Sequence, residues 1–341
     1  MSAEWILRDA TRVKKGSLAS FFPCKVLYIY TNHRRGEKFA PPCCPLRADH
    51  CGQSITDRST ERRMRMLFDS HTHINNETYT EAERQQLIAA IEASDVTCVM
   101  DIGFDLPSSL QAVKDAQDNP WCYAAVGVHP HDAKTMDEEM LQMIGALTKK
   151  EKVQAIGEIG LDFHYNLSDA DTQRYWFRRQ IQLANELHLP IVIHSRDADQ
   201  ETMDILKEEG AFSEERCSWF PKRKGPDGTE EKDARVLLHC FSCSLELGRQ
   251  YVKLGATLSI AGPVTYKNNR KTSEVAAQIP IEYLLVETDA PYLTPEPHRG
   301  KKNMSPYVEF TARRVAVLKG MTYEDVARRT MENAKVFFNI R

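Results

Sequence analysis

Residues 66–76 read MLFDSHTHINN, a short apolar run followed by two histidines with one residue between them. In an extended chain, successive side chains point to opposite faces, so His71 and His73 project in the same direction. Two imidazoles that leave the end of a strand side by side can act as a pair of metal ligands. The stretch therefore predicts a β-strand with a chelating site at its carboxyl end.

Seven more short apolar runs follow along the chain, and stretches with helical periodicity, such as 81–94, 106–117 and 172–187, separate several of them. The runs are TCVMDIG (97–103), CYAAVGV (122–128), VQAIGEI (153–159), PIVIH (190–194), RVLLH (235–239), GATLSI (255–260) and YLLVET (283–288). Nearly continuous apolar strands that alternate with helices predict a parallel sheet buried on both faces. Eight such units favour a closed (β/α)8 TIM barrel over an open doubly wound sheet, and no G-x-G-x-x-G follows the first strand.

Composition limits the classes of function. The 341 residues carry a formal net charge of -3, with 42% hydrophobic and 27% charged residues, which is typical of a soluble globular protein. We expect a cytoplasmic protein with no membrane association and no obligate protein partner. The mild negative charge excludes a globally basic nucleic-acid-binding surface, so phosphate recognition would depend on a local group of basic residues.

The nine cysteines are an odd number, and their scatter favours reduced thiols over a disulfide framework. Cys240 and Cys243 form a C-x-x-C, which could be a redox pair or half of a zinc site. No second pair with zinc-finger spacing accompanies it, so we favour a structural interpretation.

The predicted domain organisation has two parts. Residues 1–65 have no sustained helical or strand period and are rich in turn formers and charge, which predicts a poorly structured N-terminal extension. The alternative, which we favour, is that the start codon has been assigned upstream of a true start at Met66. Residues 66–341 form the predicted barrel, and the polar stretch at about 212–234, which includes PKRKGPDGTEEKD, predicts an exposed inserted loop.

Polar residues follow most of the predicted strands, at the end where the active sites of such barrels lie. In chain order these residues are Asp69, His71, His73, His129, His131, Glu158, His194, His239 and Asp289. A single histidine at a strand end is more often structural than a metal ligand. Several metal-binding residue types that converge at one end of one barrel reverse that expectation.

Nitrogen and carboxylate donors make up the predicted metal site, with no thiolate. The six candidate ligands are His71, His73, Glu158, His194, His239 and Asp289. Six ligands exceed what one tetrahedral zinc accepts, and a carboxylate between two groups of histidines is suited to bridging. The pattern therefore predicts a two-metal site, a type of site that promotes hydrolysis.

The ordered motifs FDSHTH, GVHPHDA, AIGEIGLDFHY, PIVIHSRDA, LLHCFS, LVETDAPYLTP and HRGKKN closely resemble the TatD family of metal-dependent hydrolases. The resemblance extends from residue 66 to the C-terminus. It implies an amidohydrolase-like (β/α)8 barrel with two divalent metal ions, whose identity (Mg, Mn or Zn) stays open. Carried over residue by residue, it implies that one ion is held by His71, His73 and Asp289. The other ion would be held by His194 and His239, with Glu158 bridging the two.

Other residues near these motifs have candidate roles. Glu158 and Asp289 are the candidate catalytic residues, and Asp289 would either take the proton from the attacking water or act only as a ligand. His129 and His131 would contact substrate phosphate or donate a proton, or else only pack the loop that holds them. Asp69 and Asp162 could orient a ligating histidine by accepting a hydrogen bond from it.

Basic residues supply candidate phosphate contacts. Arg196 and Arg299 are the predicted substrate-binding cations, because a guanidinium matches the oxygens of a phosphate group. Lys301 and Lys302 could join them, although a solvated surface run explains these two lysines equally well.

The resemblance implies a 3′-to-5′ deoxyribonuclease that cleaves phosphodiesters through a two-metal-activated water. A mildly acidic chain suits a single strand or a strand end better than a wrapped duplex, so the expected partner is such DNA as substrate. A D-aminoacyl-tRNA deacylase that uses the same metals is the alternative within hydrolases. A non-catalytic metal-binding protein is the alternative from another class, and the complete set of ligands counts against it.

Overall fold

The computed structural model describes residues 66–341, so the predictions for residues 1–65 lie outside the described residues. The described chain alternates strands and helices. The strands are β1 (Leu67–Thr72), β2 (Val96–Ile102), β3 (Cys122–Val126), β4 (Val153–Asp162), β5 (Ile191–Arg196), β6 (Arg223–Lys224), β7 (Glu230–Glu231), β8 (Val236–Leu238), β9 (Thr257–Ile260) and β10 (Leu284–Val286).

Eight of these strands form one parallel sheet in the order β1-β2-β3-β4-β5-β8-β9-β10. The two edges of that sheet meet beyond β10. There the backbone N–H of His73 donates to the carbonyl of Ala290 (2.8 Å), and the N–H of Asp289 donates to the carbonyl of His71 (2.9 Å). The sheet is thus a nearly closed barrel, and the prediction of a (β/α)8 fold is confirmed.

Helices follow the strands, and most begin at a residue whose side chain caps the first turn. They are α1 (Glu81–Glu92), α2 (Leu106–Asp118), α3 (Glu138–Leu147), α4 (Ala170–Glu186), α5 (Asp199–Glu208), α6 (Glu214–Ser218), α7 (Leu245–Leu254), α8 (Arg270–Gln278), α9 (Val308–Lys319) and α10 (Tyr323–Phe337). Thr80 and Glu83, for example, form a capping box at the start of α1. Within residues 66–341, none of the helices has the length and apolar character needed to span a membrane.

Alternation along the strands sorts their side chains into two cores. Leu67 and Val99 belong to the cluster between the strands and the surrounding helices. Phe68 and Met100, one residue away in each strand, belong to a second cluster that takes residues from most strands of the barrel. The end of the chain joins this interior cluster, where the ring of Phe338 stacks 6.0 Å from that of Phe68. The interior is therefore filled by apolar side chains, which leaves the polar groups at the carboxyl ends of the strands.

The inserted segment 212–234 has more structure than an exposed loop. It contains α6 and the antiparallel β6–β7 pair, and the Arg216 side chain within it is fully buried. The Arg216 guanidinium donates to the carbonyls of Ala234 (2.9 Å) and Leu189 (2.8 Å) and to Oδ1 of Asn185 (2.6 Å). Ala234 and Leu189 lie just before β8 and β5. These hydrogen bonds attach the segment to the N-terminal end of the barrel. They also supply donors to backbone carbonyls that have lost contact with water.

Candidate metal centre

Backbone position brings the predicted ligands to one end of the barrel. His71 lies in β1 and His73 directly after it, Glu158 lies in β4, and His194 lies in β5. His239 and Asp289 follow β8 and β10 and are placed by the same parallel arrangement. Parallel strands have their carboxyl ends on one edge of a sheet, so residues more than 200 positions apart in the chain meet there.

Glu158 lies between two pairs of histidines. Its Oε2 is 3.3 Å from Nε2 of His71 and 3.7 Å from Nε2 of His73. Its Oε1 is 2.8 Å from Nδ1 of His194 and 2.8 Å from Nε2 of His239. The two oxygens of one buried carboxylate thus face opposite halves of the cluster, as a bridging ligand would.

Asp289 faces the first of these halves. Its Oδ1 lies 3.4 Å from Nε2 of His73 and 3.9 Å from Nε2 of His71. Among residues 66–341, candidate metal-ligand atoms that lie within 4.8 Å of one another form three overlapping groups: His71, His73 and Asp289; His71, Glu158 and His239; and His129, Glu158 and His194. His129 is thus near the candidate ligand atoms, although the sequence-based assignment did not include it among the metal ligands.

Charge and burial set the protonation of the cluster. Burial acts to raise the pKa of the Glu158 carboxyl, yet the surrounding histidines, His239 foremost, hold that pKa well below its usual range. Burial, followed by the neighbouring His239, lowers the pKa of His71. Burial, followed by the neighbouring His194, lowers the pKa of His129 well below its usual range. The carboxylates act in the opposite direction on the other rings: despite burial, Asp289 raises the pKa of His73 to about 9, and Asp162 and Glu158 raise the pKa values of His194 and His239. A metal ion that binds these three rings would therefore displace protons from them.

The donor set fits divalent metal ions. Nε2 of His71 lies 3.3 Å from Nε2 of His73, and Nδ1 of His194 lies 3.4 Å from Nε2 of His239. Ring nitrogens that face each other at these distances can all be satisfied together by a cation between them. Nitrogen and carboxylate oxygen donors without sulfur suit Zn, Mn or Mg.

Hydrogen bonds on the outer side of the rings orient two of the histidines. Nδ1 of His73 lies 2.8 Å from the carbonyl of Ile102, and Nε2 of His194 lies 3.1 Å from Oδ2 of Asp162. A ring nitrogen that faces an oxygen acceptor carries the proton, which leaves a lone pair on the nitrogen that faces the cluster. The Ile102 carbonyl thus orients His73 with Nε2 toward the cluster. Both nitrogens of His194 face a carboxylate oxygen, and Asp162 can accept the remaining proton when Nδ1 binds a metal ion.

Glu287 is a residue of this centre that sequence reasoning missed. It is fully buried, and its Oε1 accepts the backbone N–H of Cys240 (2.7 Å). The same oxygen lies 3.4 Å from Nδ1 of His239, an ion-pair distance without hydrogen-bond geometry. The signal that could have identified it is a carboxylate inside the apolar run YLLVET, since a buried charge needs a partner.

His129 and His131 lie beside the cluster in a defined hydrogen-bonding arrangement. Nδ1 of His129 accepts the backbone N–H of His131 (3.1 Å), and Nε2 of His129 is 3.6 Å from Oε1 of Glu158. A neutral ring whose Nδ1 accepts a hydrogen bond carries its proton on Nε2. The Nε2–H group of His129 is therefore a hydrogen-bond donor that faces the cluster. Nε2 of His131 lies 3.0 Å from Oδ2 of Asp162.

Asp69 was expected to orient a histidine, and the structure gives it another partner. Its Oδ1 accepts the N–H of Thr288 (2.8 Å), and its Oδ2 accepts the Thr288 hydroxyl (2.6 Å). Burial raises the pKa of Asp69 to about 7. Asp69 thus ties β1 to the residue before Asp289, because the two edges of the barrel meet at this point.

The two predicted phosphate-binding arginines lie in different surroundings. Arg196 ends β5, two residues after His194, and its exposed guanidinium lies 4.6 Å from the ring centre of Tyr165. Arg299 is also exposed and lies 4.4 Å from the ring centre of Tyr266. Arg196 is therefore the one whose strand also carries a residue of the cluster.

Of the other candidate residues, Lys302 lies over the ring of Tyr79 at 4.0 Å and pairs with Glu83 at 3.4 Å. Lys302 is therefore a surface residue that already has an ion-pair partner.

The thiols of Cys240 and Cys243 in the C-x-x-C are both free, and Sγ of Cys243 lies 3.1 Å from Oδ1 of Asp199.

Comparison with known proteins agrees with this geometry. A model of the TatD related DNase family matches residues 68–339. The chain is 43% identical to the uncharacterized metal-dependent hydrolase YabD of Bacillus subtilis, over 81% of this chain and 100% of that protein. It is 31% identical to the 3'-5' ssDNA/RNA exonuclease TatD of Salmonella typhimurium, over 80% of this chain and 99% of that protein. The crystal structure of YjjV, a TatD homologue from Escherichia coli, covers 82% of this chain and 100% of its own, with a TM-score of 0.68 and 23% identity.

Proposed function

The chain belongs to the TatD related DNase family, and from that premise we propose that it is a 3′-to-5′ deoxyribonuclease that acts on single strands or strand ends. Members of this family are metal-dependent hydrolases, and the chain is accordingly a hydrolase that acts on ester bonds. The observation that carries the proposal is the position of Glu158, whose two oxygens face two pairs of histidines.

In this proposal two divalent ions, Mg, Mn or Zn, would be held by the cluster. His71, His73 and Asp289 would hold one ion, His194 and His239 would hold the other, and Glu158 would be shared between them. When bound, the ions lower the pKa of a water molecule and neutralise charge on the attacked phosphoryl group.

Asp289 is the residue that takes the proton from the attacking water. Its side chain is 14% exposed, against 5% for Glu158, so solvent has better access to it. Its Oδ1 has contacts on one side only, with His73 and His71. Glu158, surrounded by five imidazoles, instead acts by fixing the positions of the ligands around it. A proton acceptor has to be accessible to water, which favours Asp289 for that role.

His129 and Arg196 bind the substrate phosphate. The Nε2–H of His129 is directed toward the centre because Nδ1 already accepts the N–H of His131. Such a neutral donor stabilises negative charge that develops on a phosphoryl oxygen without itself losing a proton. The guanidinium of Arg196 is exposed at the same end of the barrel as His129 and can form two parallel hydrogen bonds to a phosphate. His131 is held by Asp162 and contributes through the position of its backbone N–H.

A metal-dependence assay tests the proposal. The chelator-stripped full chain is incubated with a 5′-labelled single-stranded DNA oligomer, with Mg, Mn or Zn added in turn, and the products are resolved by length. We expect a ladder that shortens from the 3′ end with at least one metal.

Glu158→Gln is the matched variant, because it keeps the shape of the side chain and removes its charge. The activity of this variant should fall by more than the roughly 10- to 100-fold that is typical when a hydrogen-bond partner of a metal ligand is mutated. A Glu158→Gln protein with full activity would contradict the site assignment. Absence of cleavage with every metal would contradict the nuclease proposal, and hydrolysis of a D-aminoacyl-tRNA would then be measured.

A further inference from the structure

Two half-exposed tyrosines lie beside the metal centre. Tyr165 is 55% exposed and Tyr292 is 51% exposed, which is unusual for large aromatic side chains. The ring of Tyr165 lies 5.5 Å from that of His131, and the ring of Tyr292 lies 6.3 Å from that of His73. Both exposed rings are therefore in edge contact with histidines of the candidate site.

The position of Tyr165 is fixed by the site itself. Its backbone N–H donates to Oδ1 of Asp162 (2.9 Å), and Oδ2 of the same carboxylate lies 3.1 Å from Nε2 of His194. The guanidinium of Arg196 lies 4.6 Å from the centre of the Tyr165 ring. This side of the opening thus combines an aromatic surface with a cation.

Tyr292 is anchored in an equivalent way. Its hydroxyl accepts a hydrogen bond from Nδ2 of Asn76 (3.2 Å), and its backbone N–H donates to the carbonyl of Asp289 (2.8 Å). Nδ2 of Asn303 donates to its carbonyl (2.5 Å). The ring therefore has a fixed position although half of it is exposed to solvent.

The two rings belong to opposite sides of the barrel. Tyr165 follows β4 and Tyr292 follows β10, which are the fourth and eighth strands in the order around the sheet. Four strands of eight correspond to half a turn of the barrel. The metal centre lies between them, since its ligands come from strands on both sides.

We propose that Tyr165 and Tyr292 are stacking surfaces for the unpaired bases on the two sides of the phosphodiester that is cleaved. This inference rests on the proposed nuclease function and names the feature of its substrate that is recognised. Every base has a π face that can stack on a tyrosine, and a fixed ring loses little entropy when it binds one. Bases in a duplex have no free faces, so this arrangement selects single strands and frayed ends.

A matched surface residue distinguishes this role from ordinary exposure. Tyr175 is also 51% exposed, but it lies in α4, and its hydroxyl donates to Oε1 of Glu138 (3.3 Å). Its ring contacts Trp176. Tyr175→Ala therefore removes an exposed tyrosine of equal size on the outer surface of the barrel.

Binding is measured with the metal-loaded full chain and fluorescently labelled oligothymidylate whose phosphorothioate linkages resist hydrolysis. We expect Tyr165→Ala and Tyr292→Ala each to raise the Kd about tenfold, and the double variant about a hundredfold. Tyr165→Phe should retain most of the affinity, because its ring can still stack. For an abasic oligomer of the same length, each Tyr→Ala substitution should raise the Kd much less than it does for oligothymidylate. Tyr175→Ala should bind both oligomers with the Kd of the unmodified chain.

A kinetic comparison separates this inference from the proposed function. The kcat/KM for oligothymidylate is divided by that for an abasic oligomer of the same length, which has the phosphodiesters without the bases, and the ratio should fall about tenfold in Tyr165→Ala. An unchanged ratio and an unchanged Kd overturn the stacking role and leave the nuclease proposal intact. If neither oligomer is hydrolysed with any metal, the nuclease proposal is overturned, and the binding measurement alone decides the stacking role.

Discussion

The two ends of the barrel use buried polar groups in different ways. At the N-terminal end, the guanidinium of Arg216 meets two backbone carbonyls and a side-chain amide, so each of these acceptors has a donor. Burial lowers the pKa of Arg216 to about 10, which still leaves it charged at neutral pH. At the carboxyl end, Glu158 is surrounded by histidine nitrogens that also face one another.

This difference separates stability from function. A buried charge whose partners are complete within the protein contributes to the fold. A set of nitrogen and carboxylate donors that converge on one point, as Nε2 of His71, Nε2 of His73 and Oε2 of Glu158 do, favours binding of a ligand from outside the chain. Substitutions at the two ends should therefore have separable effects on unfolding and on activity.

The largest expected effect is at the carboxyl end. His239→Ala removes an imidazole that lies 2.8 Å from Oε1 of Glu158. We expect hydrolysis to fall about a thousandfold or more, because the metal loses a ligand and the charge of Glu158 loses a partner. Activity and metal content by elemental analysis are the measurements.

A histidine at the other end of the barrel is the control for this change. His188 precedes β5, has a positive φ of 53° and stacks on Trp219. His188→Asn, which tolerates that φ, should keep full metal content. Equal loss of metal in both proteins would show that the two ends are not independent.

The next effect is on stability at the N-terminal end. Arg216→Met keeps much of the side-chain volume but removes the guanidinium from four acceptors, two of them in partly buried contacts, so we expect a loss of about 3 kcal/mol in the free energy of unfolding. Activity per folded molecule should be unchanged. Arg313→Met, at an exposed ion pair with Glu309, should change stability by less than about 1 kcal/mol. Denaturant unfolding of both variants compares the two sites, and a stable Arg216→Met protein would contradict this view of the N-terminal end.

A smaller effect is expected at Glu287, which lies behind His239, one of the proposed metal ligands. Glu287→Gln can still accept the N–H of Cys240 but loses the charge beside Nδ1 of His239. Metal affinity should fall about 10- to 100-fold, as is typical when the partner of a ligating histidine is changed. Titration of the stripped protein with metal measures it. Unchanged affinity would mean that Glu287 serves only the loop at Cys240.

The smallest expected effect is the pH dependence of stability that Lys319 causes, because this side chain is only partly buried and solvent screens its charge. Burial lowers the pKa of its ammonium group to about 8, and the group donates to the carbonyl of Ile279. The pKa in an unfolded chain is about 10.4, so between these values the unfolded state binds more protons. Stability should therefore rise as the pH increases from about 8 to about 10. Lys319→Met should remove that rise, and a slope that persists in the variant would assign it to other groups.

The order of residues along the chain was enough to predict the barrel and the types of candidate ligand. Apolar runs of strand length mark β-strands because side chains alternate along a strand, and the residue that ends each run is placed at the carboxyl end of that strand. For His71 and His73 the local spacing alone predicts that both side chains point the same way. These are properties of residues near one another in the chain.

Which groups contact one another could be assigned only in the folded barrel. It directs the two oxygens of Glu158 to different pairs of histidines, and it pairs Asp69 with Thr288 instead of a histidine. It also buries Arg216 of the inserted segment and sets Tyr165 and Tyr292 half a turn apart. The physical reason is that these contacts join residues far apart in sequence. Their distances depend on closure of the barrel and on packing around it, which no local pattern of residues encodes.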